Sequence, residues 1–184
     1  MLTKPKEQRV EVLIDVQNLY YSARNLYTSR VNFKEILNTA ISGRKFIRAF
    51  GYVVRTKSGT EEPFFDALTS LGIETRVKDL QEFYGGQKKA DWDVGIVVDA
   101  IRTSPNIDVI VLCSGDGDFI PLVEYLKNQG KRVEVIAFGK TTSSQLREVA
   151  DEFVDIDKNQ EGFLLESEKI KQKKPNKKYK KQTI

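Results

Sequence analysis

The apolar residues of this chain fall into short, nearly unbroken runs separated by stretches with helical spacing. Residues 10–16 (VEVLIDV) and 107–113 (IDVIVLC) are the clearest runs. So few polar positions over that length read as strands buried on both faces, as in a parallel sheet. Residues 44–55, 73–77, 132–138 and 153–156 are further strands. Between them, residues 31–42 place Phe33, Ile36, Leu37, Ala40 and Ile41 on one side of a helix. A second helix over 63–71 starts at a proline and stops before Gly72. Residues 93–102 predict a helix with Val94, Val97, Val98 and Ile101 turned inward. Further helices are expected over 119–128, ended by Gly130, and over 143–150. Residues 79–90, with Gly85-Gly86 at their turn, predict a small hairpin. Strands alternating with helices give an α/β class with a mostly parallel sheet.

Two of the apolar runs lead into carboxylates. Asp15 closes the first, with Asn18 three residues on, and Ser114-Gly115-Asp116-Gly117-Asp118 follows the central one. In open α/β sheets, ligands bind in the crevice beyond the carboxyl ends of the strands. One reading is capping: Asp15 caps the next helix, and Asp116 or Asp118 caps the helix that carries Pro121 in its first turn. A cap needs one carboxylate, however, and Gly115 and Gly117 imply backbone held close to something else. The other reading makes these acids ligands of a hard cation, with Asn18 supplying a neutral oxygen or steadying Asp15. An acid inside Ile-Asp-Val is expensive to bury without a partner.

The helix that returns from the third strand begins on the same side of the sheet, so Asp93 is expected to join the crevice. Asp91 and Asp93 also suit the positive end of that helix. Asp99 lies about 9 Å further along at roughly 1.5 Å per residue and is the weaker candidate. Lys88 and Lys89 stand just ahead of this segment as substrate-contacting or supporting residues.

Composition narrows the chemistry. The chain has no histidine, which removes Ser-His-Asp and Cys-His nucleophiles, imidazole-ligated zinc and histidine acid/base catalysis together. Its one cysteine, Cys113, sits inside the central strand, so no disulfide framework exists and a reducing, cytoplasmic setting is expected. No apolar run approaches the roughly 18 residues of a membrane span, and the first residues lack the apolar core of a secretory signal. The net charge of +4 divides unevenly: residues 169–184 hold eight lysines and no acid, leaving residues 1–168 at −4. This basic stretch cannot bury enough apolar surface to fold, so it is expected to be disordered, either as a solubilising tail or as a phosphate-gripping arm that brings RNA to an acidic body. Gly139-Lys140-Thr141-Thr142 matches the end of a phosphate loop, but Glu134 stands where the earlier glycine is required.

Three segments, IDVQNLYYSAR (14–24), KKADWDVGIVVDAI (88–101) and LCSGDGDFIPLVEYLKNQGKRVEVIAFG (112–139), together resemble the LabA-like branch of the NYN family of PIN-like domains. The resemblance covers residues 9–157, with an N-terminal extension over 1–8 and the polar to lysine-rich tail over 158–184. It implies a three-layer α/β/α fold and an acidic pocket for Mg²⁺ or Mn²⁺ built from Asp15, Asp93, Asp116 and Asp118. Asn18 and Ser114 would then support the site or contact substrate.

The chemistry of the residues agrees. Unit charges 4 Å apart repel by about 4 kcal/mol at an effective dielectric near 20, so converging aspartates call for a cation. Oxygen-only ligands select hard ions, which support phosphodiester hydrolysis without histidine. The expectation is a metal-dependent nuclease acting on nucleic acid, preferably RNA; the alternative is an RNA-binding, regulatory protein with little turnover. Small-molecule phosphatase chemistry is disfavoured because the Asp-x-Asp pair does not lie on the first strand. Assembly into a homo-oligomer is compatible with the sequence.

Overall fold

In the computed structural model, which describes residues 4–82, 88–89 and 91–165, strand and helix alternate along the chain. The first half runs β1 (Arg9–Asp15), α1 (Val16–Tyr27), β2 (Arg30–Val31), α2 (Phe33–Ile41), β3 (Lys45–Arg55), α3 (Glu62–Ser70), β4 (Ile73–Asp79), β5 (Gln81–Glu82) and β6 (Lys88–Lys89). The second runs α4 (Asp93–Thr103), β7 (Val109–Cys113), α5 (Ile120–Asn128), β8 (Arg132–Ala137), α6 (Ser144–Val149), β9 (Glu152–Asp155), α7 (Gln160–Phe163) and β10 (Leu164–Leu165). Six strands form one parallel sheet in the order β4-β3-β1-β7-β8-β9. The expected hairpin is present as β5 paired antiparallel with β6.

The alternation of side chains along each strand builds two cores, one on each face. Val10, Val12 and Ile14 of β1, with Val109, Val111 and Cys113 of β7, pack beneath α1, α2 and α3. Leu13, Ile110, Leu112, Val133 and Val135 face the other way, beneath α4, α5 and α6. The result is the expected three-layer α/β/α fold. Cys113 is fully buried, and burial pushes its thiol pKa up, so it serves packing.

Two expectations are corrected. In α4 the buried residues are Ile96 and Ala100, whereas Val94 is 75% exposed and Val98 and Ile101 are also exposed. Only Val97 of the expected stripe packs against the core. The helix carries two apolar stripes, and its rotation is set from outside by Trp92, whose indole N–H donates to the Val53 carbonyl at 2.9 Å. The second correction concerns the end of the domain. Residues 158–165 are not simply polar tail: Phe163 is buried, its carbonyl accepts from the Asn32 N–H at 2.8 Å, and β10 pairs antiparallel with β2. The folded domain therefore extends at least to Leu165. The lysine-rich stretch lies outside the described residues.

The end of the sheet away from the carboxyl termini is held by charge. Arg44 makes a bidentate pair with the buried Glu134, both bonds 2.8 Å, and Arg132 and Lys4 reach the same carboxylate at 2.8 Å. Burial alone would raise the Glu134 pKa, but the hydrogen bonds from Arg44, Arg132 and Lys4 outweigh it and hold the pKa down at about 2. Lys4, in the N-terminal extension, thereby joins the domain.

Candidate functional site

The sheet changes winding direction between β1 and β7. From β1 the chain builds outward through β3 and β4, then crosses to β7 and builds the other way through β8 and β9. This is the switch point at which open α/β sheets leave a crevice. Ile14 pairs with Cys113, so Asp15 and Ser114 leave the sheet side by side.

Asp15 lies at the base of the crevice. Its Oδ1 accepts from the Asn18 N–H at 3.0 Å, capping α1, and its Oδ2 accepts from the Ser114 hydroxyl at 3.2 Å. Burial pushes the Asp15 carboxyl up to about 6; the two hydrogen bonds oppose this, and the charges of Asp93 and Asp116 add to it. Asn18 Oδ1 accepts from the Gly115 N–H at 3.1 Å, and Ser114 Oγ accepts from the Asp116 N–H at 3.3 Å. Asp15, Asn18 and Ser114 therefore fix the start of the loop that carries Asp116 and Asp118.

Above this base, Asp93, Asp116 and Asp118 each offer one oxygen within 4.8 Å of the others. Asp93 is the first residue of α4, and Trp92 holds it in place. The Trp92 ring packs on Tyr52 at 5.4 Å, and the Lys78 ammonium lies 5.0 Å over the indole while donating to the Asp91 carbonyl at 2.7 Å. Gly95 makes room for the ring, since a Cβ there would fall 2.5 Å from it. Burial raises the Asp93 pKa, with Asp116, Asp91 and Asp118 adding and Lys78 opposing. Among the described residues, no lysine or arginine forms a salt bridge with Asp93, Asp116 or Asp118.

Capping and clustering turn out to be compatible. Asp116 Oδ1 accepts from the Asp118 N–H at 3.0 Å, capping the short 3-10 turn over Gly117–Phe119, and the same residue belongs to the three-oxygen group. Asp15 is not part of that group. Asp99 points elsewhere, 3.4 Å from Arg76 and 3.3 Å from the Tyr52 hydroxyl. Lys88 and Lys89 form β6, but their side chains lie outside the described residues.

Gly115 and Gly117 do hold the backbone close to a neighbour, which is the turn after β8. A Cβ on Gly115 would lie 2.7 Å from Thr142 Oγ1 and 3.1 Å from Thr142 Cα; one on Gly117 would lie 3.2 Å from Ser143. The loop is pressed against the turn that follows β8, and the Ser143 N–H donates to the Gly115 carbonyl at 3.0 Å. Sequence reasoning missed this turn and Trp92 as supports. For Trp92 the available signal was an aromatic residue set between two aspartates.

The donor set fits a hard divalent cation: three carboxylate oxygens close together, with no salt bridge to a lysine or arginine among the described residues. Asp93, Asp116 and Asp118 would hold it, and Asp15 would add negative charge from below.

A parallel α/β/α sheet with aspartates gathered at this switch point is the arrangement of the PIN-like class. Within it, the chain belongs to the NYN domain family, whose match spans residues 9–157. It is 28% identical over 166 residues to the Low amplitude and bright protein LabA of Synechococcus elongatus, covering 82% of this chain and 85% of that protein. It is also 28% identical over 176 residues to the uncharacterized protein MJ0482 of Methanocaldococcus jannaschii, covering 93% of this chain and 63% of that longer protein. Among solved structures, a protein of unknown function, VPA0982 from Vibrio parahaemolyticus, superposes with a TM-score of 0.79 at 34% identity, over 89% of this chain and all of that one.

Proposed function

We propose that this protein is a nuclease that depends on Mg²⁺ or Mn²⁺ and hydrolyses phosphodiester bonds in RNA. The observation that carries the reading is the group of Asp93, Asp116 and Asp118 at the β1/β7 switch point, with no salt bridge to a lysine or arginine among the described residues, in a chain that has no histidine. A bound divalent ion there supplies charge neutralisation for the phosphodiester and lowers the pKa of water.

The residues of the chain do the rest. Asp93, Asp116 and Asp118 hold the cation, Asp118 from the exposed rim. Asp15 and Asn18 anchor the loop from β1 and α1, and Ser114 links Asp15 to the Asp116 backbone, so the oxygens keep their spacing when the charge arrives. Such preorganisation lowers the cost of assembling like charges before catalysis. Lys88 and Lys89, a few residues ahead of Asp93 in the chain, contact substrate phosphates, and the lysines of 169–184 bring RNA to an acidic body. Among the described residues no helix is long and apolar enough to cross a membrane. We place the activity in the cytoplasm, where the lone cysteine stays reduced.

The test is cleavage of labelled RNA and DNA with Mg²⁺, Mn²⁺ or chelator, with Asp116→Asn protein as the contamination control. The expected result is RNA cleavage that the chelator and the substitution both abolish. Metal binding and RNA binding without any cleavage would replace the enzyme with a binding-only regulator.

A further inference from the structure

A groove with a cavity volume of about 830 Å³ opens between α1 and α3. It starts at Val16 and Gln17, beside Asp15, and follows one flank of α1 through Tyr20 and Tyr21 to Arg24. That flank is about 12 Å long at roughly 1.5 Å per residue. Stacked bases at about 3.4 Å spacing would place three along it.

The lining is apolar and aromatic, yet it is open to solvent. Tyr21 is 52% exposed and Phe64, on the facing wall, 37%. The rings come in pairs: Tyr20 and Tyr21 meet edge to face at 5.4 Å, and Phe64 leans on Phe33 at 5.7 Å. Arg24 and Lys34 stand among them, and Glu61 is the single acid among the described lining residues, held by the Thr56 hydroxyl at 2.6 Å. Aromatic faces beside cations suit planar bases on an anionic backbone; stacking is worth about 1–3 kcal/mol per base and tolerates any sequence. An aliphatic peptide would gain nothing from the cations and little from the flat ring faces.

We propose that this groove is a binding site for the unpaired bases of the nucleic acid strand whose backbone reaches the acid cluster. The proposal rests on the reading of that cluster as a phosphodiester site. A strand leaving Asp15 enters the groove at Val16, and its bases stack on Tyr20, Tyr21 and Phe64 while Arg24 and Lys34 meet its phosphates.

The test measures fluorescence anisotropy of the full chain with a short fluorescein-labelled single-stranded RNA, with chelator present so that cleavage is silent. The same strand annealed to its complement, and an abasic strand of equal length, serve as comparison probes. Tyr21→Ala/Phe64→Ala protein should bind the single strand about tenfold more weakly, equivalent to about 1.4 kcal/mol, and should bind the duplex and abasic probes like wild type. Tyr21→Phe, which keeps the ring, should retain binding. Both positions are solvent-exposed, and a thermal melt verifies that the double variant folds.

Equal losses on all three probes, or unchanged single-strand affinity, overturn the proposal. So does a wild-type dimer that the double variant converts to monomer, which would make the groove a contact between copies. The two readings fail separately. Selective loss of single-strand binding in a protein that never cleaves keeps the groove and removes the nuclease. Unchanged binding with intact metal-dependent cleavage does the reverse.

Discussion

Asp116→Asn separates the two roles that Asp116 combines. Asn keeps the side-chain oxygen that accepts from the Asp118 N–H, and it caps nearly as well as Asp, so the 3-10 turn should survive. What disappears is one charge from the group of three. At the 4.8 Å limit that bounds the group, a pair of unit charges at an effective dielectric near 20 repels by about 3.5 kcal/mol. Solvent and salt at the half-buried Asp93–Asp116 pair reduce that to on the order of 1 kcal/mol. The metal-free variant should therefore melt no lower than wild type, and up to about 3 °C higher. With metal the order inverts. A cation at about 100 times its dissociation constant stabilises by about 2.7 kcal/mol, a rise of roughly 5–10 °C for a domain of this size. Wild type should show that rise with Mn²⁺ and the variant should lose most of it, together with RNA cleavage. The assay is a pair of thermal melts, with chelator and with Mn²⁺, beside the cleavage assay. A variant that keeps both the metal-induced rise and the cleavage would refute the ligand assignment and leave Asp116 as a cap.

Three further outcomes follow from other parts of the molecule. Glu11 is fully buried on β1, its Oε2 accepts from the Thr103 hydroxyl, its Oε1 has no hydrogen-bond partner among the described residues, and burial pushes its pKa from 4.5 to about 7. The unfolded chain gives up this proton first, so wild type should lose on the order of 3 kcal/mol as pH rises from about 4.5 through 7; Glu11→Gln should flatten that loss in urea melts, and parallel curves would disprove it. Arg44→Met leaves the buried Glu134 without its bidentate partner and should cost about 3–5 kcal/mol, read as a lower denaturation midpoint at an unchanged slope. Deleting residues 169–184 removes eight lysines and should weaken nucleic-acid binding across sequences while reducing the dependence of affinity on log salt; an unchanged slope would leave the tail without a binding role.

Much of this arrangement is written locally in the chain. Strands buried on both faces announce themselves as apolar runs, and residues 10–16 and 107–113 became β1 and β7 within a residue or two. Each run ends in a polar segment that could not continue it, so the positions of Asp15 and Ser114 at the strand ends were legible too. The parallel pairing of β1 with β7 followed from burial and from the helices between them. Asp93 lies beside Asp116 and Asp118 because a helix returning from a parallel strand must begin on that side.

What depends on distances between elements was not legible. The rotation of α4 is one case: Val94, Val98 and Ile101 form as good a stripe as Ile96 and Ala100, and the choice falls to a hydrogen bond between Trp92 and Val53 across 39 positions of sequence. The glycines of the acidic loop are another, since the turn that crowds them arrives from after β8. The pairing of β10 with β2 joins segments more than 130 residues apart, so the polar region after residue 157 concealed the true edge of the domain. The sequence by itself determined which residues could be strands, where the acids leave the sheet, and that no histidine shares their chemistry. Only the tertiary structure decided that Asp93, Asp116 and Asp118 form the close group while Asp15 supports them from below. Side-chain period follows from backbone geometry within one element, whereas the spacing of three oxygens depends on how two strands, a loop and a helix are packed at once.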